Sequence, residues 1–165
     1  MSTQENLKEA FAGESQANRT YLAFALRAEK DGYPQVARLF RAAADSETVH
    51  ALYHLDAMDG VNGTLENLKE AQSGENYEHT DMYPRFIAEA EAEGDKRARL
   101  GFMYASRVEE VHEAKFAEAE AAIAAGGDIE DREYQVCQYC GNVEHSVLKK
   151  CPICGMPASF FKRVD

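Results

Sequence analysis

Tryptophan is absent, proline occurs only four times, and the 18 Lys and Arg are outnumbered by 29 Asp and Glu, leaving a formal charge of −11 over 165 residues. Each shortage excludes something. The acidic balance, with no Lys/Arg cluster, repels phosphate backbones and anionic headgroups, which argues against nucleic acid and membrane surfaces as partners. No apolar run reaches the ~18 residues that a membrane helix needs. The first residues, Met1-Ser2-Thr3-Gln4-Glu5, are polar where a secretory leader would be apolar, so the expected location is the cytoplasm. The length allows one full domain and a small appendage. Cysteine is scarce too: all four lie in two Cys-x-x-Cys pairs near the C-terminus, and in a reducing compartment such pairs bind metal more readily than they form disulfides.

What is abundant is helix-forming sequence. From Thr3 to about Ala125 the chain is rich in Ala, Glu, Leu and Arg, with apolar positions spaced by three and four. The spacing predicts a first helix over Thr3 to Lys30, ended by Asp31-Gly32, and a second from Pro34 to just before Asp59-Gly60. A short helical stretch follows from Thr64 to about Gln72. A third helix runs from Glu75 to Glu93 with a kink at Pro84, and a fourth from Asp95 to Gly126-Gly127. Residues 128–165, after a polar linker, read as a separate non-helical, cysteine-bearing domain, and residues 1–127 as the helical one.

The helical part repeats itself. Leu7-Lys8-Glu9-Ala10 with Gly13-Glu14 recurs as Leu68-Lys69-Glu70-Ala71 with Gly74-Glu75, and Glu47-x-x-His50 recurs in the second half as Glu109-x-x-His112. Two such hairpins, neither able to bury its apolar face alone, pack as a four-helix bundle with approximate two-fold symmetry. The apolar stripe of helix one passes Leu7 and Phe11, then Glu14, then Ala17, Tyr21 and Phe24, so Glu14 faces inward. In helix two Val36, Phe40 and Ala43 lead into Glu47 and His50; in helix four Phe102 and Ser106 lead into Glu109 and His112. Each Glu-x-x-His pair lies about 60° apart on one face with roughly 4.5 Å of rise, so both side chains reach one centre. Several inward carboxylates cannot all ionise unless cations sit between them, and mixed oxygen and imidazole donors suit iron or manganese. A single Glu-x-x-His is ordinarily a surface pair; two copies, each matched with an inward Gly-Glu, are not. His54 reads as a satisfied inner-face histidine, His79 and His145 as residues outside the ligand set, and Tyr21 and Tyr83 as core aromatics whose hydroxyls could reach a ligand carboxylate.

Cys137-Gln138-Tyr139-Cys140-Gly141 and Cys151-Pro152-Ile153-Cys154-Gly155 form a framework for one tetrahedral tetrathiolate site, with positive φ at each glycine turning backbone N–H groups toward the sulfurs. Zinc and a single iron both accept four thiolates. With few apolar groups besides Tyr134, Tyr139, Val147, Phe160 and Phe161, this segment depends on its metal to fold.

Gly13-Glu14, Glu47-x-x-His50, Gly74-Glu75-Asn76-Tyr77-Glu78, Glu109-x-x-His112 and both cysteine knuckles together resemble the rubrerythrin family over essentially the whole chain. The resemblance implies a mainly α fold, a ferritin-like four-helix bundle followed by a small rubredoxin-like β domain. It implies two irons with oxo and carboxylate bridges, Glu47 and Glu109 bridging, Glu14 and Glu75 terminal, and His50, Glu78 and His112 completing the set. A third iron, or zinc in recombinant protein, would sit on Cys137, Cys140, Cys151 and Cys154. Met156 follows the second knuckle where many relatives place histidine. The implied activity is a peroxidase of oxidative-stress defence: hydrogen peroxide is reduced to water, and the tetrathiolate iron relays electrons from rubredoxin or an NAD(P)H-dependent reductase. A ferroxidase or iron-storage protein has no need of such a relay, and a zinc-ribbon interaction protein leaves the inward glutamates unexplained. His112 lies 14 residues before Gly126, about 21 Å of helix, so a chain's own cysteine-bearing domain is expected to start far from its di-iron site, with a head-to-tail homodimer bringing a neighbour's closer. The resemblance also implies that Glu78 competes with His50 for one iron, the carboxylate bound when oxidised and the imidazole when reduced.

Overall fold

Alanine decides how the first two helices meet. In the computed structural model, which describes residues 2–146 and 148–164, α1 (Thr3–Lys30) and α2 (Pro34–Ala57) form a hairpin across a turn at Gly32, whose φ of +85° a side chain would oppose. Their contact buries Ala25, Ala28, Ala37, Ala44 and Ala51, where nothing beyond Cβ keeps the backbones apart. Asn18 fastens the pair, its Nδ2 donating to the Ala44 carbonyl at 2.7 Å and to Thr48 Oγ1 at 2.8 Å. Ser2 and Glu5 form a reciprocal cap at the start of α1. This hairpin, Met1–Asn62, is one compact unit of the chain, and Gly63–Asp165 is the other.

In the second unit α3 (Thr64–Tyr77) passes through a π-helical turn, Glu78–Met82, into α4 (Tyr83–Glu93), and α5 (Lys96–Ala124) returns along them. The separate short stretch expected to end near Gln72 is therefore part of one helix that runs on through Gly74. The irregularity lies at the π turn, and Pro84 follows it in the first turn of α4. The repeat accounts for the π turn. Leu7 and Glu14 correspond to Leu68 and Glu75, whereas Tyr21, Phe24, Phe40, Glu47 and His50 correspond to Tyr83, Phe86, Phe102, Glu109 and His112, an offset longer by one. One residue has been added between Glu75 and Tyr83, and an i→i+5 turn absorbs it without breaking the helix. Beyond it the packing is restored: the rings of Phe24 and Phe40 lie 5.5 Å apart, as do those of Phe86 and Phe102, each pair joined by a tyrosine, Tyr21 or Tyr83.

After Ala125 the chain leaves its helix and builds a three-stranded antiparallel sheet in the order β2-β1-β3, from β1 (Tyr134–Cys137), β2 (Val143–Glu144) and β3 (Phe161–Val164). Val147, expected among its apolar residues, lies outside the described residues. The domain folds back along its own α5. Val108, 2% exposed, sits beneath Gly141, and a Cβ on that glycine would lie 3.8 Å from Val108 Cγ1. Tyr139 stacks edge-on against Tyr104 at 5.8 Å, and Arg107 donates to the Ile153 carbonyl at 3.1 Å. Although the segment begins about 21 Å of helix beyond His112, it returns to the level of Glu109, contrary to the separation expected from the sequence. Among the described residues no helix is long and apolar enough to cross a membrane.

Candidate metal centres

Three groups of side chains converge. Glu14, Glu47 and His50 bring ligand atoms within 4.8 Å of one another in the first unit, and Glu75, Glu109 and His112 do so in the second. The helix spacing is responsible in both. His50 Nδ1 lies 2.9 Å from Glu47 Oε2, and His112 Nδ1 lies 2.8 Å from Glu109 Oε2, each across one turn. Glu14 reaches Glu47 from α1, and Glu75 reaches His112 from α3, with 3.7 Å between Oε1 and Nδ1.

The electrostatics suit a cation. Burial, followed by the charge of Glu109, pushes the carboxyls of Glu75 and Glu78 above the ordinary range. The hydrogen bond to Glu109 pulls His112 upward. Negative charge is thus concentrated at this cluster, and the donor set, oxygen with imidazole, fits iron. In the more open first unit Glu47 is held below the usual carboxylate range by its hydrogen bonds to Glu14 and His50. Glu78, in the π turn, stands near enough to Glu109 to feel its charge but outside the three-residue cluster.

Cys137, Cys140, Cys151 and Cys154 form the third group, all unpaired. Sulfur separations of 3.7 Å for Cys137 and Cys154, and 3.5 Å for Cys140 and Cys151, approach the ~3.8 Å edge of a tetrahedron with 2.3 Å metal–sulfur bonds. Gly141 and Gly155 have φ of +87° and +77°, as the knuckle pattern predicts. The N–H groups of Asn142 and Met156 are hydrogen-bonded to the sulfurs of Cys140 and Cys154. Burial drives both of these thiols upward, a cost that a bound cation removes.

Around the second cluster the structure adds residues that sequence reasoning missed. Glu113 accepts from Asn76 Nδ2 at 3.0 Å and lies 2.6 Å from His79 Nε2, tying α5 to the π turn. Its position next to His112 was the only available hint. His145 meets Lys115. Tyr83 has its phenol pushed upward by burial and by the charges of Glu109, Glu78 and Glu75, so it stays a proton donor near them. His54, expected to be satisfied, has a buried Nδ1 without a partner among the described residues. A largely apolar cavity of about 470 Å³ opens on Glu75 and His112, walled by Leu68, Phe116, Ile129 and Tyr134.

Comparison with known proteins places this geometry. A sequence model of the rubrerythrin family matches residues 5–120. Rubrerythrin of Porphyromonas gingivalis is 34% identical over an aligned span of 178 positions, covering 97% of this chain and 88% of that protein. Nigerythrin of Nitratidesulfovibrio vulgaris is 37% identical over 178 positions, covering 97% and 85%. Solved structures of nigerythrin, partially reduced and fully reduced with all iron ferrous, each superpose with a TM-score of 0.59 at 35% identity, covering 99% of this chain and 87% of theirs.

Proposed function

Since the chain belongs to the rubrerythrin family, with its mainly α, ferritin-like fold and its rubredoxin-like four-cysteine site, we propose that it is a peroxidase that reduces hydrogen peroxide to water in oxidative-stress defence. In this reading residues 1–127 provide the di-iron bundle and residues 128–165 the electron relay. Glu14, Glu47, His50, Glu75, Glu78, Glu109 and His112 would hold two irons, and Cys137, Cys140, Cys151 and Cys154 the third. The metals, when bound, supply the two electrons that peroxide cleavage consumes.

The protein's own part is to position, shield and conduct. Four thiolates, two of them accepting backbone N–H hydrogen bonds, would complete the coordination of a metal held there, leaving no place for substrate and only electrons to exchange. Carboxylates can change between one- and two-oxygen binding, which leaves room for a small oxidant at the other centre. Tyr83, kept protonated, can donate a hydrogen bond to an oxygen of the bound oxidant or of a ligand carboxylate. The largely apolar walls beside Glu75 and His112, with Lys115 among them, leave room for a small molecule such as peroxide.

The observation that carries the reading is the packing of Gly141, directly after Cys140, onto Val108, directly before Glu109. An iron-storage protein has no use for a thiolate site held beside its carboxylates. An external donor, rubredoxin or an NAD(P)H-dependent reductase, completes the circuit, and the setting is the cytoplasm, as a homodimer.

The test is Cys154→Ser. Steady-state peroxide turnover with a reductase donor should be lost, while one turnover of the chemically reduced protein, followed by rapid mixing, should survive. Survival of both rates would remove the relay. Faster reaction with dioxygen plus ferrous ion than with peroxide would favour iron oxidation instead.

A further inference from the structure

We propose that the solvent-facing edge of the cysteine-bearing domain, where Lys149, Lys150 and Lys162 border the exposed aromatic pair Tyr139 and Phe160, is the docking surface for a small, negatively charged electron-transfer protein. The proposal rests on the reading above, in which the tetrathiolate site relays electrons, and adds where they enter and from what kind of partner.

Charge singles out this edge. Residues 145–164 contain four of the chain's 18 Lys and Arg and none of its 29 Asp and Glu, a reversal of sign in a protein of net charge −11. Lys149, Lys150, Lys162 and Arg163 are all exposed. Arg163 is engaged by Glu133 at 2.9 Å, but the three lysines have no ion-pair partner among the described residues. Glu144, the last carboxylate before them in the chain, accepts a hydrogen bond from Asn142 Nδ2 at 3.0 Å. On an otherwise anionic protein, three uncompensated ammonium groups attract an anionic partner and orient it, because the rest of the molecule repels it.

The backbone fixes these charges beside the sulfurs. Lys149 and Lys150 lead directly into Cys151. The Ala158 N–H donates to the Lys149 carbonyl at 3.1 Å and Lys150 pairs with Pro157, closing the loop that carries Cys151 and Cys154. The Gln138 N–H donates to the Phe160 carbonyl at 2.8 Å, and Lys162 lies opposite Val136, so the same C-terminal segment also borders the first knuckle. Tyr139 is 48% and Phe160 39% exposed, their rings edge to face with 6.3 Å between centroids. Exposed aromatics with a charged rim are the anatomy of a protein interface, and so small a patch suits the brief encounters of electron transfer.

The two knuckles differ in what they face. Gly141, after the first, packs on Val108, whereas a Cβ on Gly155, after the second, would meet nothing within 4 Å. The first knuckle thus touches the helix that carries Glu109, and the second is open to a partner, the asymmetry of an exit and an entrance. Each encounter moves one electron from the partner's metal to the oxidised thiolate site and leaves the partner oxidised by one electron. No bond or proton changes hands, and two encounters match the two electrons that peroxide takes.

The probe is a reduced rubredoxin of net negative charge, mixed rapidly with iron-loaded protein whose thiolate site is oxidised, at salt concentrations of about 0.01 M and 0.15 M, where charges act over ~30 Å and ~8 Å. The second-order rate for the wild type should fall as salt rises. Lys149→Glu/Lys150→Glu should lower the rate at low salt about tenfold and remove most of the salt dependence. The visible spectrum and reduction potential of its thiolate site should match the wild type, and reduced methyl viologen, a small cation, should react with it no more slowly. Equal rates and equal salt dependence in wild type and variant overturn the docking surface. So does a variant that keeps the donor rate but dissociates from dimer to monomer in sedimentation equilibrium, which would assign this edge to a second copy of the chain. If wild-type protein reduced at the thiolate site passes no electron to peroxide, the relay itself fails, whatever the donor does.

Discussion

Glu78 has no counterpart in the first hairpin, where Ala17 stands three residues after Glu14. Its carboxyl is pushed upward chiefly by burial and then by the charge of Glu109. More charge on the metals favours this carboxylate, and less favours the neutral imidazole of His50, so we expect Glu78 to be bound in oxidised protein and His50 in reduced protein. Glu78→Ala should keep two irons but slow the reaction with peroxide; identical ligands in oxidised and reduced wild-type crystals would count against the exchange. Protonation offers a second check. Glu75 and His112 are raised from ordinary values of 4.5 and 6.5, so the metal-free protein binds more protons folded than unfolded between and above those values. Its stability should fall as pH rises through the folded value of His112. Glu47 and Glu113 are lowered, so the stability they contribute disappears in acid. Denaturation across pH should show a maximum in between, and metal loading should abolish the alkaline decline, because the cation replaces the protons.

At the scale of elements the controlling features are small residues and one extra residue. Ala44, fully buried between α1 and α2, leaves no room for a larger side chain. Ala44→Leu should cost about 1–3 kcal/mol in chemical denaturation by forcing those backbones apart. The π turn is held by Glu113 through Asn76 and His79. Docking of the cysteine-bearing domain depends on Tyr139 against Tyr104 and on Arg107 at the Ile153 carbonyl. Tyr139→Ala/Arg107→Ala should slow electron delivery about tenfold, equivalent to ~1.4 kcal/mol of barrier, with the visible spectrum of the thiolate site unchanged. An unchanged rate would mean that this contact is not on the route.

For the whole molecule the metals are part of the fold. The segment from Tyr134 to Val164 has a sheet of only three short strands, with Cys137, Cys151 and Asn142 as its most buried side chains. Iron-replete protein should be red from thiolate-to-iron charge transfer. Removing that metal with a chelator should unfold this segment while circular dichroism retains the helices. Loss of the helical signal in step with the colour would show that the two parts do not fold separately.

The long helices α1, α2 and α5 and the identity of the convergent side chains were legible in the sequence because each depends on spacing along one chain. A period of 3.6 puts Glu47 with His50 and Glu109 with His112, and Cys-x-x-Cys with a following glycine sets a knuckle locally. The position of the π turn was hidden although the offset of the repeat lengthens by one across it, since Pro84 is the louder local signal. The return of the cysteine-bearing domain to Val108 and the pairing of Glu113 with His79 were not legible at all. Those contacts join residues far apart in sequence, their partners are chosen by shape complementarity and burial, and no periodicity within one segment encodes them. Tertiary structure alone decided that Gly141, next to Cys140, packs on Val108 of the same chain.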